Sequence, residues 1–322
     1  MRGRFPRLPD RNRQGSVRAM SERLPFPAYP WHDSFVTPAR PRSEVWRTAL
    51  GAVVILIVYI ASIQLLAGYY SSRYGAFLGG ILFNQMALGA TPGAMLVLLF
   101  SFLGMAAGPV IVVILLHSRT ARGLIGPWPG QALSDFLRVT AVLMAFNLAA
   151  FFLALMTGDL LRNPELPLGR FLLVLPIGLV GILIQTGAEE LVFRGYLQQQ
   201  LGARFRSPLV WMGVPAALFA MGHYDSGVWG ENTFAIMAWT AIFGIFAADL
   251  TARTGHLGAA IGYHFANNVM AMMLTSIRGQ MDGLALWVLP IDPASSQTVM
   301  MLAVDLMSLI IAWLLARLVL RL

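Results

Sequence analysis

Long apolar runs separated by short polar segments occupy the chain from residue 46 onward. Runs of roughly 17–25 mainly apolar residues have the length with which an α-helix crosses a membrane. The pattern predicts eight such spans, near 46–69, 93–117, 133–156, 170–200, 208–223, 233–252, 256–277 and 298–318. A further apolar segment, Phe77–Leu88, is short and broken by glycine, and is expected to be re-entrant or interfacial. The expected fold is all-α, a polytopic membrane helix bundle of about eight transmembrane helices.

Composition supports a membrane protein and excludes several kinds of site. The chain is 57% hydrophobic and only 12% charged, whereas soluble domains are about 25% charged. It contains no cysteine, which excludes disulfides, thiolate nucleophiles and cysteine-based metal sites. The net charge of +8 is concentrated in the N-terminal segment and in one set of loops. It therefore indicates orientation in a membrane, with no nucleic-acid partner.

The first 45 residues differ from the rest, because they are rich in arginine and proline and contain no apolar run. We expect 1–45 to be a disordered, basic cytoplasmic tail and not a signal peptide, with 46–322 as the transmembrane domain. A regulatory or docking role for the tail stays open. Arginines recur in alternate loops, which predicts cytoplasmic N- and C-termini.

Three charged residues stand inside the predicted fourth span, at Glu189, Glu190 and Arg194. Charges in a membrane helix cost roughly 2.5–3.5 kcal/mol each on insertion scales, so they usually serve a function. Glu190 and Arg194 are four residues apart and can form an ion pair on one helix face. Glu189 points about 100° away and lacks that partner, so it is the predicted general base. The alternative is a salt bridge that only holds helices together.

Two histidines and an asparagine are predicted to share the depth of the glutamates in the membrane. His223 ends the fifth span, and His264 and Asn268 lie four residues apart in the seventh, which places them on one helix face. A buried imidazole and a buried amide both need hydrogen-bonding partners, and hydrocarbon offers none. We expect a common cavity that contains water and the Glu189 carboxylate.

These motifs resemble the CPBP family of intramembrane proteases, which includes the CAAX prenyl endopeptidases and bacteriocin-processing or immunity proteins. The family's EExxxR, FxxxH and HxxxN elements correspond to Glu189-Glu190-x-x-x-Arg194, Phe219-x-x-x-His223 and His264-x-x-x-Asn268. The resemblance covers roughly residues 170–275, which would form the catalytic core. It implies that Glu189 and His223 hold and deprotonate a water molecule, while His264 and Asn268 stabilise the oxyanion, with Glu190 and Arg194 in support.

The resemblance also implies the reaction and its partners. The expected activity is hydrolysis of a peptide bond in a membrane-embedded or lipidated substrate, with the protein in the bacterial inner membrane. No cofactor is expected, because Asn268 is a poor zinc ligand and no HExxH pair is present. Zinc bound by Glu189, His223 and His264 stays an alternative. Two other functions stay open, a non-catalytic membrane partner of the immunity type and a proton-coupled carrier that uses Glu189 as a relay.

Overall fold

The computed structural model describes residues 29–322, and this part of the chain is a bundle of α-helices with one small β-sheet. Six helical segments are long and apolar enough to cross a membrane, as expected for an integral multi-pass membrane protein. The segments are α2 (Val45–Tyr74), α4 (Pro92–Leu115), α5 (Pro129–Thr157), α6 (Leu168–Arg204), Ser226–Thr254 and α10 (Ser296–Leu320). Within Ser226–Thr254, the helix Thr233–Thr254 is called α8. The all-α membrane bundle expected from the sequence is therefore confirmed, whereas the predicted orientation of the termini stays a prediction.

The expected count of eight spans is not confirmed, because two of the predicted spans are short helices. The predicted span 208–223 is α7 (Leu209–Met221). The predicted span 256–277 is α9 (Gly258–Val269), followed by a π-helical turn, Met270–Leu274, and a β-strand. Nine of the twelve residues of α9 are buried, so its apolar composition reflects packing inside the protein rather than contact with lipid.

The segment Phe77–Leu88 lies in a helix, α3 (Ala76–Leu88), which begins directly after α2 ends. The turn between them is made at Gly75, whose φ of +78° is favourable only for glycine. The start of α3 packs closely on α2, since a Cβ at Gly79 would lie 2.6 Å from the carbonyl oxygen of Tyr70. The two helices therefore form a compact helical hairpin at one side of the bundle.

The prediction of a disordered tail is wrong for the last part of that segment, which is ordered. Its first part, 1–28, lies outside the described residues. Residues His32–Val36 form a short helix, α1, and Thr37–Arg42 form a 3-10 helix. Phe35 is fully buried and the His32 ring stacks on Trp211 at 4.0 Å. The Tyr29 hydroxyl donates a hydrogen bond of 3.0 Å to Asp249. This segment is ordered because its aromatic side chains bury against Trp211 of α7 and against residues near the ends of α6 and α8.

The buried helix α9 is held close to α5 by two glycines. A Cβ at Gly258 would lie 1.9 Å from the carbonyl oxygen of Ala132, and one at Gly262 would lie 2.8 Å from that of Phe136. The two glycines form a small-xxx-small pair, which permits two helices to pack closely. This packing places the polar residues of α9 in the middle of the bundle, between α5 on one side and α6 on the other.

A three-stranded sheet covers the end of the bundle opposite α1. Its strands are β1 (Leu161–Arg162), β2 (Thr275–Ile277) and β3 (Trp287–Leu289), in the order β1-β3-β2. β1 pairs with β3 in antiparallel fashion and β2 pairs with β3 in parallel. The sheet thus ties the chain that follows α5 to the chain that follows α9.

Candidate active site

The glutamate pair lies where α6 changes its helical geometry. The helix is α-helical from Leu168 to Glu190, π-helical over Leu191–Gln198, and α-helical again to Arg204. π-helical turns are rare and are frequently found at functional sites. The wider turn begins directly after Glu190 and includes Arg194, so it sets the positions of both members of the predicted ion pair.

Arg194 is almost fully buried, with 1% of its surface exposed, and three contacts fix its side chain. Its Nη1 donates to Glu190 Oε1 at 2.8 Å, and its Nη2 donates to the carbonyl oxygen of Gly244 at 3.1 Å. The guanidinium also lies over the Phe219 ring, 5.0 Å from its centroid. The ion pair predicted from the sequence is therefore present. Both partners are buried, so the pair places a matched cation directly beside the Glu190 carboxylate.

His264 bridges the two glutamates. Its Nδ1 lies 2.9 Å from Glu190 Oε1, and its Nε2 lies 3.4 Å from Glu189 Oε2. An ionised carboxylate only accepts hydrogen bonds, so Nδ1 carries the hydrogen that it donates to Glu190. The rings of Phe219 and Phe243 pack against the imidazole, with centroids at 6.0 and 4.8 Å. The ring is thus oriented by a charged hydrogen bond and by aromatic packing.

Glu189 differs from Glu190 because no arginine among residues 29–322 forms an ion pair with it, although Oε2 of each carboxylate is without a hydrogen-bond donor. It is 7% exposed, and within the described part of the chain its Oε2 has no hydrogen-bond donor in suitable geometry. The contact of 3.4 Å to His264 Nε2 is close enough for charge interaction, but it is not aligned as a hydrogen bond. A buried carboxylate oxygen without a donor is free to accept a proton from a bound water molecule.

Asn268 is held by a residue that the sequence analysis missed, Gln185. The Asn268 Nδ2 donates to Gln185 Oε1 at 2.8 Å, and the neighbouring Asn267 Nδ2 donates to Asn268 Oδ1 at 3.2 Å. These two bonds fix the plane of the Asn268 amide. Gln185 precedes Glu189 by four residues on α6, so its position on the same face of an apolar helix was a usable signal.

His223 lies at the C-terminal end of α7, with an exposed side chain. Its Nδ1 is 2.9 Å from the carbonyl oxygen of Phe219, which leaves Nε2 for an external partner. The Phe219 ring packs against both imidazoles, with centroids 4.7 Å from His223 and 6.0 Å from His264. Among the described residues, no hydrogen bond or ion pair connects His223 with Glu189, His264 or Asn268. The structure therefore brings His223 to the edge of the cluster, one aromatic ring away.

The ligand geometry does not favour the zinc alternative. In residues 29–322, no group of three histidine or acidic side chains converges in a way that could hold a metal ion. His264 Nδ1 is already bonded to Glu190, and His223 is separated from the glutamates by Phe219. A zinc site requires three or four such ligands around one point. Metal-free chemistry stays a prediction.

Comparison with known proteins identifies the family that this segment matches. Residues 170–270 match the model of the family described as Type II CAAX prenyl endopeptidase Rce1-like, which confirms the resemblance predicted from the three motifs. The uncharacterized protein YyaK of Bacillus subtilis (strain 168) is 29% identical over 153 residues, or 44% of this chain. The matched region spans only 50% of the length of that relative. No solved structure matches the chain.

Proposed function

We propose that this protein, whose residues 170–270 match the Rce1-like type II CAAX prenyl endopeptidases, is an intramembrane endopeptidase. The substrate is a peptide or protein associated with the membrane, and a prenylated peptide is the substrate class to test first. The protein acts as a multi-pass membrane enzyme, with the bacterial inner membrane as its proposed location. These statements concern the whole chain and extend beyond the matched segment.

One observation carries the proposal, the unequal environment of the two adjacent glutamates. Oε2 of each glutamate is buried without a hydrogen-bond donor, but Glu190 Oε1 is bonded to Arg194 and to His264, whereas Glu189 lies beside His264 Nε2 and forms no ion pair with an arginine among the described residues. A structural ion pair would need one carboxylate and one arginine. Glu189 has no arginine of this kind among the described residues. A charged group inside a membrane is costly in free energy, and a part in catalysis would explain why Glu189 is there.

Glu189 and His223 act on the water molecule in the proposed mechanism. A water held between Glu189 and His223 Nε2 attacks the scissile carbonyl carbon, and its proton passes to Glu189. The protonated Glu189 then returns this proton to the amide nitrogen as the C–N bond breaks. General acid–base catalysis of this kind contributes roughly 10²–10⁴-fold to the rate. No covalent enzyme intermediate forms, because the site contains no activated serine and the chain has no cysteine.

His264 and Asn268 stabilise the oxyanion in the same mechanism. Asn268 offers the Nδ2 hydrogen that is not used by Gln185. His264 Nδ1 donates to Glu190, so Nε2 can donate to an oxyanion only when the ring is doubly protonated. The Glu190 carboxylate accepts the Nδ1 hydrogen and so orients the ring. Arg194 in turn holds the Glu190 carboxylate in place.

The test is cleavage of a quenched, membrane-tethered peptide, with and without a prenyl group, by the full chain reconstituted in liposomes. Glu189→Gln should reduce kcat by about 10²–10⁴-fold, because glutamine cannot accept the proton. His223→Ala and His264→Ala should reduce it as well. The matched control is Glu165→Gln, an exposed glutamate on the loop before α6, which should leave kcat unchanged.

Cleavage that survives Glu189→Gln would overturn the proposed mechanism. If the wild type cuts neither peptide although it is folded, the non-catalytic partner becomes the favoured function. Addition of a chelator addresses the metal, since activity that resists it supports metal-free water activation. Proton uptake into the liposomes without any peptide cleavage would favour the carrier instead.

A further inference from the structure

Tyr59 places a phenol near the middle of α2, far from either end of this 30-residue helix. It follows the start of the helix by about fourteen residues, or roughly 21 Å at 1.5 Å per residue. Tyrosines that anchor a membrane helix lie near its ends, where the hydroxyl reaches headgroups and water. Tyr59 is instead half-buried at the depth of the hydrocarbon. A phenol at this depth needs a polar partner inside the protein.

Two contacts show how α2 lies against α6. A Cβ at Gly51 would collide with the Tyr196 hydroxyl, so the helices approach closely at this point. One turn further along α2, Ile55 belongs to the same apolar cluster as Val192, which lies one turn before Tyr196 on α6. A step forward on α2 therefore corresponds to a step back on α6, as in an antiparallel pair.

The next turn of each helix brings Tyr59 opposite Glu189. Tyr59 follows Ile55 by four residues, and Glu189 precedes Val192 by three, so both lie on the facing sides of their helices. The phenol is close enough to the Glu189 carboxylate for an electrostatic interaction. Within residues 29–322, Glu189 is the one charged group with which this phenol interacts. The packing and the electrostatics thus select the same pair of residues.

The two polar groups are near each other but form no direct hydrogen bond. In the described part of the chain, no hydrogen bond engages the Tyr59 hydroxyl or Glu189 Oε1, and neither atom is among the fully buried polar atoms without a partner. Phe102 of α4 packs on the Tyr59 ring, with centroids 5.8 Å apart, and keeps the phenol in place. Polar groups that face each other beyond hydrogen-bond distance are commonly bridged by a water molecule.

We propose that Tyr59 is a further catalytic residue, whose hydroxyl donates a hydrogen bond to the water molecule that Glu189 activates. This inference rests on the proposed function and adds a third contact to the water. The water donates its two hydrogens to Glu189 and to His223 Nε2, accepts from Tyr59 with one lone pair, and attacks the scissile carbonyl carbon with the other. One proton of the water passes to Glu189, and Tyr59 keeps its own proton throughout.

The third contact fixes the direction in which the water attacks. His223 lies at the edge of the cluster, and the Phe219 ring packs between it and His264. Tyr59 approaches Glu189 from another helix, and donors at fixed positions determine where a bound water points its free lone pair. α2 also lies outside residues 170–270, the segment that matches the family. The N-terminal part of the bundle would therefore contribute a reacting group to the site.

Peptide cleavage by the full chain in liposomes tests the role of the hydroxyl. Tyr59→Phe keeps the ring against Phe102 and removes only the O–H. It should lower kcat by about 10-fold, the effect of one lost hydrogen bond, and leave KM unchanged because the contact is to the water and not to the peptide. The matched control is Tyr69→Phe, a tyrosine of the same helix that is 59% exposed, which should keep both constants. A wild-type kcat in Tyr59→Phe, with a loss only in Tyr59→Leu, would overturn the proposal, because the ring alone would then matter.

A second measurement does not need cleavage. Hydrophobic carbodiimides modify membrane carboxyl groups in their protonated form, and mass spectrometry measures the modification at Glu189 alone. A water held by Tyr59 stabilises the charged carboxylate, so Glu189 should be modified several-fold faster in Tyr59→Phe than in the wild type or in Tyr69→Phe. Equal rates in the three proteins would overturn the proposal. If the wild type cleaves no peptide, the proposed function fails, and these rates still decide whether Tyr59 acts at Glu189.

Discussion

α9 lies between two carboxylates whose surroundings differ. On the side towards α6, Glu190 is paired with Arg194 and bonded to His264. On the side towards α5 and α10, Asp305 lines a cavity together with uncharged polar side chains. The first carboxylate has its counter-charge four residues away on the same helix, whereas no arginine among residues 29–322 forms an ion pair with the second.

The difference indicates what each face is suited for. Arg194 holds the Glu190 carboxylate, which in turn fixes the orientation of His264. Asp305 has no arginine partner of this kind among the described residues. Glu189 is close to His264 and likewise forms no ion pair with a described arginine. The carboxylate that orients another group is therefore the one that is paired with an arginine.

The largest effect on stability should come from breaking the paired side. Arg194→Met leaves Glu190 as a buried charge without its arginine, so the free energy of unfolding should fall by about 3–5 kcal/mol. Chemical or thermal unfolding of the purified protein measures it. The double variant Glu190→Gln with Arg194→Met removes both charges, and it should recover much of the loss.

Arg40→Met is the matched control for that substitution. Arg40 pairs with Asp33, and the two side chains are 50% and 36% exposed; exposed pairs contribute only about 0–1 kcal/mol. Equal losses in Arg194→Met and Arg40→Met would contradict the view that burial makes the Glu190–Arg194 pair costly to break.

An intermediate effect is expected at Gln185, which we place as a positioning residue for Asn268. Gln185→Leu removes the acceptor at 2.8 Å and frees the amide to rotate, so kcat should fall by about 10-fold with little change in KM, as for a group that acts only in the transition state. The check is peptide cleavage by Gln185→Leu, by Asn268→Ala and by the double variant.

The double-mutant cycle separates positioning from a general structural role. If Gln185 acts through Asn268, its substitution should have no further effect once Asn268 is alanine. Additive losses in kcat would show that Gln185 acts on the protein in another way.

The smallest effect on Tm is expected at His32, a buried group outside the membrane spans. Burial against Trp211 lowers the pKa of His32 to about 4, from an ordinary value of 6.5. The folded state thus favours the neutral ring, and its contribution to stability is fully present above pH 6.5 and is lost as pH falls from about 6.5 to about 4. Tm should therefore decrease over this range.

His32→Phe keeps an aromatic ring against Trp211 but cannot take up a proton. Its Tm should decrease less than that of the wild type between pH 6.5 and pH 4. Parallel pH profiles for the two proteins would show that other groups, and not His32, dominate acid destabilisation.

Much of the candidate site follows from local sequence patterns. The ion pair of Glu190 with Arg194 and the shared face of His264 and Asn268 depend on helical spacing alone. The close approach of α9 to α5 follows from Gly258 and Gly262, because small residues permit helices to pack at short distance. Such features need only residues a few positions apart.

Features that depend on distant parts of the chain could not be predicted in this way. The bond from Asn268 to Gln185 joins residues 83 positions apart, and the ordering of the segment near Tyr29 depends on Asp249, 220 positions away. The short helices α7 and α9 are as apolar as membrane spans, and hydropathy cannot distinguish a helix surrounded by protein from one surrounded by lipid.

The sequence by itself determined that this is a helical membrane protein with charged and polar groups at Glu189, Glu190, Arg194, His223, His264 and Asn268. The reason is that the cost of charge in hydrocarbon and the period of the α-helix act locally along the chain. Only the tertiary structure decided which carboxylate is paired, that His264 lies between the two glutamates, and that Asp305 lines a polar cavity beside α9. Those outcomes depend on which helix faces meet, and packing of the whole bundle sets them.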